Sequence, residues 1–168
     1  MSAIPTDIRP AGPEDLEALL PLMASYYRED GYSFDPATAR RAVAGLLADP
    51  ALGGLWLVTA NGRAVGYLAV TFGYSLEYGG RDAFLDEVYL LPEARGRGLG
   101  ARLVALAEAA CRAAGVRALH LEVEPDKRGA YGLYLDAGFV EHERRLMSKL
   151  LDERHASSPP DPEPSADS

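Results

Sequence analysis

A glycine-rich turn carries the most specific chemical signal in the sequence. Residues 92–101 read PEARGRGLGA and lie between an apolar run, FLDEVYLL, and a segment with helical periodicity, ARLVALAEAACRAAG. A turn at the start of a helix can bind an anion, because free backbone N–H groups and the helix dipole both face the ligand. Glycines at 96, 98 and 100 let the backbone approach it without clashes from Cβ atoms. The sequence therefore predicts an anion site between a strand and a helix.

Three other interpretations of this turn compete. A dinucleotide-binding fingerprint requires G-x-G-x-x-G and an acidic residue further on; Glu122 or Glu124 could supply the acid, but the glycines here form G-x-G-x-G. A P-loop requires Gly-Lys-Ser/Thr, which the sequence lacks. A tight strand-to-helix turn with solvated arginines needs no ligand at all.

Two adjacent carboxylates form a second candidate. Asp86 and Glu87 come just before the apolar end of the strand that leads into the turn. A carboxylate can attract a cationic amine and take its proton. Because adjacent strand residues face opposite sides, at most one of the pair is expected to point into a given cleft. The alternative is one exposed acid and one structural hydrogen-bonding acid.

Composition restricts the classes of protein. With 17 Lys and Arg against 25 Asp and Glu, the net charge is -8, which argues against nucleic-acid and membrane-surface binding. One cysteine, Cys111, permits no intrachain disulfide, and no apolar run approaches the length of a membrane span. The three histidines show no metal-ligand spacing, so no metal is expected. A soluble cytoplasmic protein is the expectation.

Hydrophobic periodicity predicts the elements that hold these residues. The expected order is strand, helix, helix, three mostly antiparallel strands, helix, strand, helix and a last strand, FVEHERRLMSKLL. Asn61-Gly62 predicts a hairpin turn, Asp35-Pro36 a helix start, and Pro21 a bend or break in the first helix. The fold class is α/β (α+β): a mixed sheet flanked by helices, with one parallel β-α-β crossover at the glycine turn. Residues 1–151 are expected to form one domain and 152–168 a disordered acidic tail.

Three linked motifs resemble those of the GNAT acetyltransferases. The strand end Val88-Tyr89-Leu90-Leu91-Pro92 is followed by R-x-x-G-x-G at 95–100, and A-x-x-L-Y at 130–134 is followed by Gly138-Phe139. The motifs occur in the family's order, and the resemblance covers roughly residues 5–150. It implies a GNAT-like sheet and acetyl-CoA, whose pyrophosphate would be the anion.

The resemblance also implies how acetyl-CoA is bound. Backbone N–H groups of the turn would face the phosphates, and the main chain of the strand before it would pair with the pantetheine arm. Arg95 and Arg97 would add positive charge or simply be solvated. Lys127 stands where many members have a cofactor-contacting asparagine, so it meets a phosphate or the contact is missing. The implied cofactor-binding residues are Val88, Tyr89, Leu90, Arg95, Gly96, Arg97, Gly98, Leu99, Gly100, Ala101 and Lys127.

The same resemblance assigns the chemistry. Tyr134 matches the tyrosine that gives a proton to the departing CoA thiolate, although it could also be a core aromatic residue. Val88 N–H is the implied oxyanion donor. Diamine acetyltransferases carry an acidic pair at the place of Asp86 and Glu87, and Glu87 is favoured over Asp86 because its longer side chain reaches farther.

The expected function is N-acetyl transfer from acetyl-CoA to a primary amine, by direct attack in a ternary complex. A small-molecule acceptor is preferred, with a protein lysine or N-terminus as the alternative. A CoA-binding regulatory module without turnover is the alternative from another class. The expected assembly is a monomer or homodimer, and the sequence identifies neither the acceptor nor the acyl chain.

Overall fold

The hairpin predicted at Asn61-Gly62 joins the strands at the middle of the sheet. The structure, a computed structural model, describes residues 5–152. Strand β2 (Gly53–Ala60) and strand β3 (Arg63–Ser75) are antiparallel, and Asn61 and Gly62 have φ angles of 50° and 75°. Positive φ at both central residues is what a type I′ hairpin requires. The prediction of this hairpin is confirmed.

The remaining strands extend the sheet on both sides. Strand β1 (Thr6–Pro10) pairs antiparallel with β2, and strand β4 (Gly80–Leu90) pairs antiparallel with β3. Strand β5 (Ala118–His120) pairs parallel with β4, so the order in the sheet is β1-β2-β3-β4-β5. The mixed, mostly antiparallel sheet with one parallel crossover is confirmed.

Helices cover both faces of the sheet. Helices α1 (Leu16–Glu29) and α2 (Pro36–Ala48) cover one face, where Tyr67 and Ala69 of β3 are buried. Helix α3 (Leu99–Ala113), which makes the parallel crossover, covers the other face, where Leu68 and Val70 are buried. Alternate residues of one strand thus contribute to two separate cores. Helix α4 (Arg128–Asp136) follows β5 and contacts α3.

Local capping explains the predicted start of α2, whereas the predicted break in α1 is absent. The Asp35 side chain accepts a hydrogen bond from Thr38 N–H at 2.9 Å, and Pro36 is the first helical residue. A bend or a break was predicted at Pro21, and helix α1 continues through this residue without a break. Pro21 lies on the exposed side of the helix, where water can hydrate the carbonyl group that the proline leaves unbonded.

The last predicted strand is also wrong. Residues 139–151 follow α4 without pairing to the sheet, and β5 contains only the first three residues of the predicted ALHLEVE strand. Residues 141–145 are five consecutive charged or histidine side chains, so this segment has no apolar face to bury against a sheet. Its apolar residues Val140, Leu146 and Met147 are mostly exposed.

Two further expectations concern the ends and the hydropathy of the chain. The predicted acidic tail at 152–168 lies outside the described residues except for Asp152. Within residues 5–152, no helix is long and apolar enough to cross a membrane.

Candidate active site

The predicted binding strand, β4, extends beyond its pairing with β5. The two strands pair only where Asp82, Ala83 and Phe84 face Ala118, Leu119 and His120, whereas β4 continues to Leu90. Leu91 N–H bonds to Val65 O at 2.8 Å, so odd-numbered residues at this end of β4 direct their peptide groups toward β3. By the alternation of an antiparallel ladder, the peptide groups of Val88 and Leu90 point to the opposite edge. At Val88 and Leu90 that edge of β4 has no strand paired to it.

The glycine turn presents unbonded N–H groups next to this edge. Gly96 and Gly98 have φ angles of 73° and 72°, and Gly98 is the N-cap residue of α3. The bond from Arg102 N–H to Gly98 O begins the helical pattern. Within residues 5–152, no backbone N–H from Gly96 to Ala101 donates a hydrogen bond. The side chain of Leu99 is buried in the α3-side core and anchors the turn.

The two arginines of the turn differ in their surroundings. Arg95 donates from Nε to Leu90 O at 2.8 Å, and its two terminal nitrogens lie 2.7 and 2.8 Å from the two carboxylate oxygens of Glu29. This hydrogen-bonded pair raises the pKa of Arg95 and lowers the pKa of Glu29. Tyr89 O–H donates to the same carboxylate at 3.2 Å. Arg97 is exposed and has no partner among the described residues.

This difference predicts different effects for two matched substitutions, one on stability and one on binding. Arg95→Met should lower the free energy of unfolding by about 1 kcal/mol, a value discounted for the partial exposure of the pair. Arg97→Met should leave stability unchanged and weaken acetyl-CoA binding, with a smaller dependence of affinity on salt. Urea unfolding and calorimetric titration measure the two effects. Equal stability losses in both variants would contradict the structural role of Arg95.

Lys127 forms an ion pair with an acid at the end of α1. Its Nζ lies 2.5 Å from Oδ1 of Asp30, directly after α1, and this hydrogen bond raises the pKa of Lys127. Nearby, Tyr32 O–H donates to Glu124, which raises the pKa of Tyr32 to about 12. The segment after α1 is thus bonded twice to the segment that precedes α4. The structure therefore gives Lys127 a protein partner, Asp30.

A β-bulge lies at Asp86, the first of the two predicted carboxylates. Ala69 of β3 pairs with Glu87 and Val70 pairs with Leu85, which leaves Asp86 as the extra residue. Ala83 and Leu85 before the bulge and Val88 and Leu90 after it all lie on the α3 side. Strict alternation therefore fails here, so counting residues along the strand does not decide which of the two acids faces the site. The physical reason is that a bulge adds one residue and reverses the parity of the strand.

Glu87 is half-buried and hydrogen-bonded, whereas Asp86 is exposed to solvent. Tyr27 O–H and Tyr67 O–H each donate to Glu87 at 2.6 Å. Burial raises the pKa of Glu87, and these two hydrogen bonds oppose the rise. Asp86 has no hydrogen-bond partner among the described residues, although enough protein surrounds it to raise its pKa by desolvation. The charge of Asp86 adds to the raised pKa of both Glu87 and Tyr27, so it lies near them.

Tyr134 lies in α4 with its ring against the α3-side core. Its ring meets that of Phe139 edge-on at 5.8 Å between centroids. Burial raises the pKa of Tyr134, so the hydroxyl remains protonated at neutral pH. The hydroxyl makes no hydrogen bond within residues 5–152. Glu87 and Tyr134 both contribute electrostatically to the raised pKa of Tyr26 of α1, so both side chains lie near Tyr26.

A groove of about 1010 Å³ lies beside this region. It is lined by β5 and the residues after it, by α4, and by the segment that follows α4, and Tyr134 and Glu124 are at its wall. Neither β4 nor the glycine turn contributes to it. We therefore place the candidate site at the edge of β4 and attribute the groove to the unpaired segment 139–146.

Several residues of the site were not predicted from the sequence. Glu29 and Asp30 contact the predicted site residues Arg95 and Lys127, and Tyr67 contacts Glu87. Tyr67 had one available signal, since it is the only residue with a polar tip in the apolar run AVGYLAV. The acids carried no such signal, because charged residues at helix ends and in loops are common.

Comparison with known proteins identifies the class. Residues 16–139 match the acetyltransferase (GNAT) family, a range that includes the turn, β4 and α4. The aminoalkylphosphonate N-acetyltransferase of Salmonella typhimurium is 26% identical over 144 residues, covering 86% of this chain and 91% of that protein. The chain is an acetyltransferase, and it belongs to the GNAT family, whose members use acetyl-CoA.

Solved structures agree with this fold. An integron cassette protein from the mobile metagenome of Cole Harbour Salt Marsh is 38% identical with a TM-score of 0.78, covering 86% of this chain and 90% of that one. An aminoglycoside N-acetyltransferase in complex with CoA has a TM-score of 0.77 at 19% identity, covering 90% and 98%. At that identity the second similarity concerns the fold alone.

Proposed function

We propose that the protein transfers the acetyl group of acetyl-CoA to the primary amine of a small molecule, by direct attack in a ternary complex. The observation that carries the proposal is the open edge of β4, which lies between the unbonded N–H groups of the turn and the region of Glu87 and Tyr134. One side of this edge suits an anionic, amide-bearing co-substrate. The other side carries an acid that can accept a proton and a phenol that can donate one.

The residues present fit acetyl-CoA. The unbonded N–H groups from Gly96 to Ala101 would hold the pyrophosphate, with the positive end of α3 behind them. The outward-facing peptide group of Val88 and the N–H of Leu90 would pair with the pantetheine amides, as an added strand does, while Leu90 O accepts from Arg95. Arg97 is free to add charge, whereas Arg95 holds the turn to α1. Lys127 would act through Asp30, to which it is bonded.

The reaction requires a neutral amine and a protonated leaving group. Acetyl-CoA supplies the acetyl group as a thioester. An alkylamine titrates at about pH 10, so it must lose a proton before it can attack. Ionised Glu87 attracts the ammonium group and takes this proton, directly or through water. Val88 N–H stabilises the oxyanion, and Tyr134, protonated at neutral pH, donates to the leaving sulfur.

The names of two similar proteins support a small-molecule acceptor. One is an aminoalkylphosphonate N-acetyltransferase and the other an aminoglycoside N-acetyltransferase. Transfer to a protein lysine or N-terminus is the alternative within enzymes, and CoA binding without turnover is the alternative outside them. A panel of small amines, peptides with free lysine and peptides with free N-termini, assayed for thiol release, tests all three. Thiol release with small amines alone is the expected result, and its absence with every acceptor would contradict the proposal.

Acetyl-CoA should raise the melting temperature of the protein, because a ligand at about 100 times its Kd stabilises the native state by about 2.7 kcal/mol. Gly98→Asp should remove most of this rise, since it places a carboxylate at the proposed phosphate site. Gly62→Asp is the matched control, because Gly62 has a φ of 75° against 72° for Gly98 but lies in the distant hairpin. Aspartate tolerates this left-handed conformation in both places. Differential scanning fluorimetry with and without acetyl-CoA measures the shift, and an undiminished rise for Gly98→Asp would remove the turn as the phosphate site.

A further inference from the structure

Glu87 combines partial burial with the absence of a cationic partner. No lysine, arginine or histidine among residues 5–152 forms an ion pair with it. The titratable groups that face it are Tyr26 and Tyr27 of α1, Tyr67 of β3 and Asp86 of β4. A buried carboxylate without compensation would take up a proton and become useless for attracting a cation. Among residues 5–152, hydrogen bonds are therefore the only interactions that stabilise the negative charge of Glu87.

These hydrogen bonds come from two sides, one to each oxygen. Tyr27 O–H donates to Oε1 and Tyr67 O–H donates to Oε2, both at 2.6 Å. Tyr67 pairs with Tyr89 across the sheet, so Glu87 is its diagonal neighbour on the same face, within reach of an aromatic side chain. A carboxylate has about four lone-pair positions, so about two remain for further donors. An ammonium group is a donor of the right kind.

Both tyrosines are fixed in place and keep their protons. Tyr67 is 1% exposed in the core under α1 and α2. The ring of Tyr27 packs edge-on against Tyr26 at 5.5 Å and Phe34 at 5.6 Å. Burial raises the pKa of Tyr27 and of Tyr67, and the charge of Glu87 raises them further. Each hydroxyl is therefore a permanent donor that cannot exchange roles with the carboxylate.

We propose that Tyr27 and Tyr67 are positioning residues for the acceptor amine: together they hold Glu87 ionised and oriented, so that the substrate's ammonium group occupies the remaining lone pairs. This inference rests on the proposed acetyl transfer to an amine. It gives α1 and β3 an indirect part in acceptor recognition, through Glu87. It also gives the partial burial of Glu87 a role, since a partly desolvated carboxylate attracts a cation more strongly than a hydrated one.

Removing either hydroxyl should make Glu87 easier to protonate. A hydrogen bond to the charged form lowers the pKa of a carboxyl, so its loss raises that pKa, by roughly one unit per bond. In Tyr27→Phe and Tyr67→Phe, the acidic limb of the profile of kcat/KM against pH should move upward by that amount. Below the acidic midpoint of the wild type the loss in kcat/KM should approach tenfold, and it should shrink as the pH rises. Tyr74→Phe, on the exposed end of β3, is the matched control and should leave the profile unchanged.

A double-mutant cycle separates positioning from direct contact with the substrate. In a Glu87→Gln background, Tyr27→Phe should cause no further loss of kcat/KM, because the group it positions has already lost its charge. A loss as large as that in the wild-type background would show that Tyr27 acts on the substrate itself, and would overturn the proposal. Tyr27→Phe keeps its packed ring, so it answers the question even if Tyr67→Phe disturbs the core.

A measurement without substrates distinguishes failure of this inference from failure of the proposed function. The ¹³C signal of the Glu87 carboxyl, assigned by comparison with Glu87→Gln, should titrate at a higher pH in both tyrosine variants than in the wild type. An unchanged or lower midpoint overturns the inference, whatever the enzyme acetylates. If the midpoint rises but no amine is acetylated, the two tyrosines hold the carboxylate and the proposed acetyl transfer is what fails.

Discussion

Tyr134→Phe is expected to lower kcat about 100-fold while changing acetyl-CoA affinity little, because only the proton available to the leaving thiolate is lost. The ring stays against Phe139 and the α3-side core, so packing is preserved. The Tyr134 hydroxyl has no protein partner within residues 5–152, and removing it therefore leaves no buried group unpaired. Steady-state kinetics and calorimetric titration with acetyl-CoA measure the two quantities.

The matched control is Tyr131→Phe, one turn earlier on α4. The Tyr131 hydroxyl donates to Glu141 at 2.9 Å in an exposed position, and its removal should leave kcat unchanged. If product release limits the wild type, the effect of Tyr134→Phe would be hidden, so the chemical step is also followed by rapid quench. An unchanged chemical step would return Tyr134 to a purely structural role.

Glu87→Gln is expected to lower kcat/KM for a cationic amine about 100-fold, since the substitution keeps shape and removes the charge. If Glu87 acts as the base, the loss shrinks as pH rises and more amine arrives neutral. If it only attracts cations, the loss falls mainly on KM and weakens with salt. Asp86→Asn is the comparison, because Asp86 lies near Glu87 but is exposed and has no hydrogen bond among the described residues. Full activity of Glu87→Gln with impaired Asp86→Asn would move the role to Asp86.

The same substitution has a predictable effect on stability. Burial raises the pKa of Glu87 above its usual 4.5, so the native state binds this proton more tightly than the unfolded chain. The resulting stability is complete below the unfolded pKa and is lost as pH rises through the folded pKa. Glu87→Gln removes that dependence, and its melting temperature at neutral pH should equal or exceed that of the wild type. A lower melting temperature would mean that the activity loss includes a loss of structure.

The features that sequence predicted correctly depend on residues close together in the chain. The hairpin at Asn61-Gly62, the capped start of α2 and the turn between β4 and α3 each depend on a few neighbouring residues. The bulge at Asp86 could not be predicted, because counting residues along a strand presumes the alternation that a bulge interrupts. The final strand failed for a related reason, since a strand needs a partner and a buried face as well as a permissive composition.

Contacts distant in sequence are the other part that could not be predicted. Arg95 and Glu29 are 66 residues apart, Lys127 and Asp30 are 97 apart, and Tyr67 and Glu87 are 20 apart. In each case one residue stood in a recognisable motif or pair and its partner did not. Motifs therefore indicated candidate residues for the site, whereas the hydrogen-bond network around those residues could be seen only in the fold.

The end of α1 is common to both halves of the site. Glu29 holds the arginine of the glycine turn, Asp30 holds Lys127 ahead of α4, and Tyr27 holds Glu87. A ligand that shifts Arg95 would therefore move Glu29, which lies two residues from Tyr27, the hydrogen-bond donor to Glu87. The two substrates are then thermodynamically linked through α1, and the factor by which acetyl-CoA changes the amine's affinity must equal the factor by which the amine changes that of acetyl-CoA.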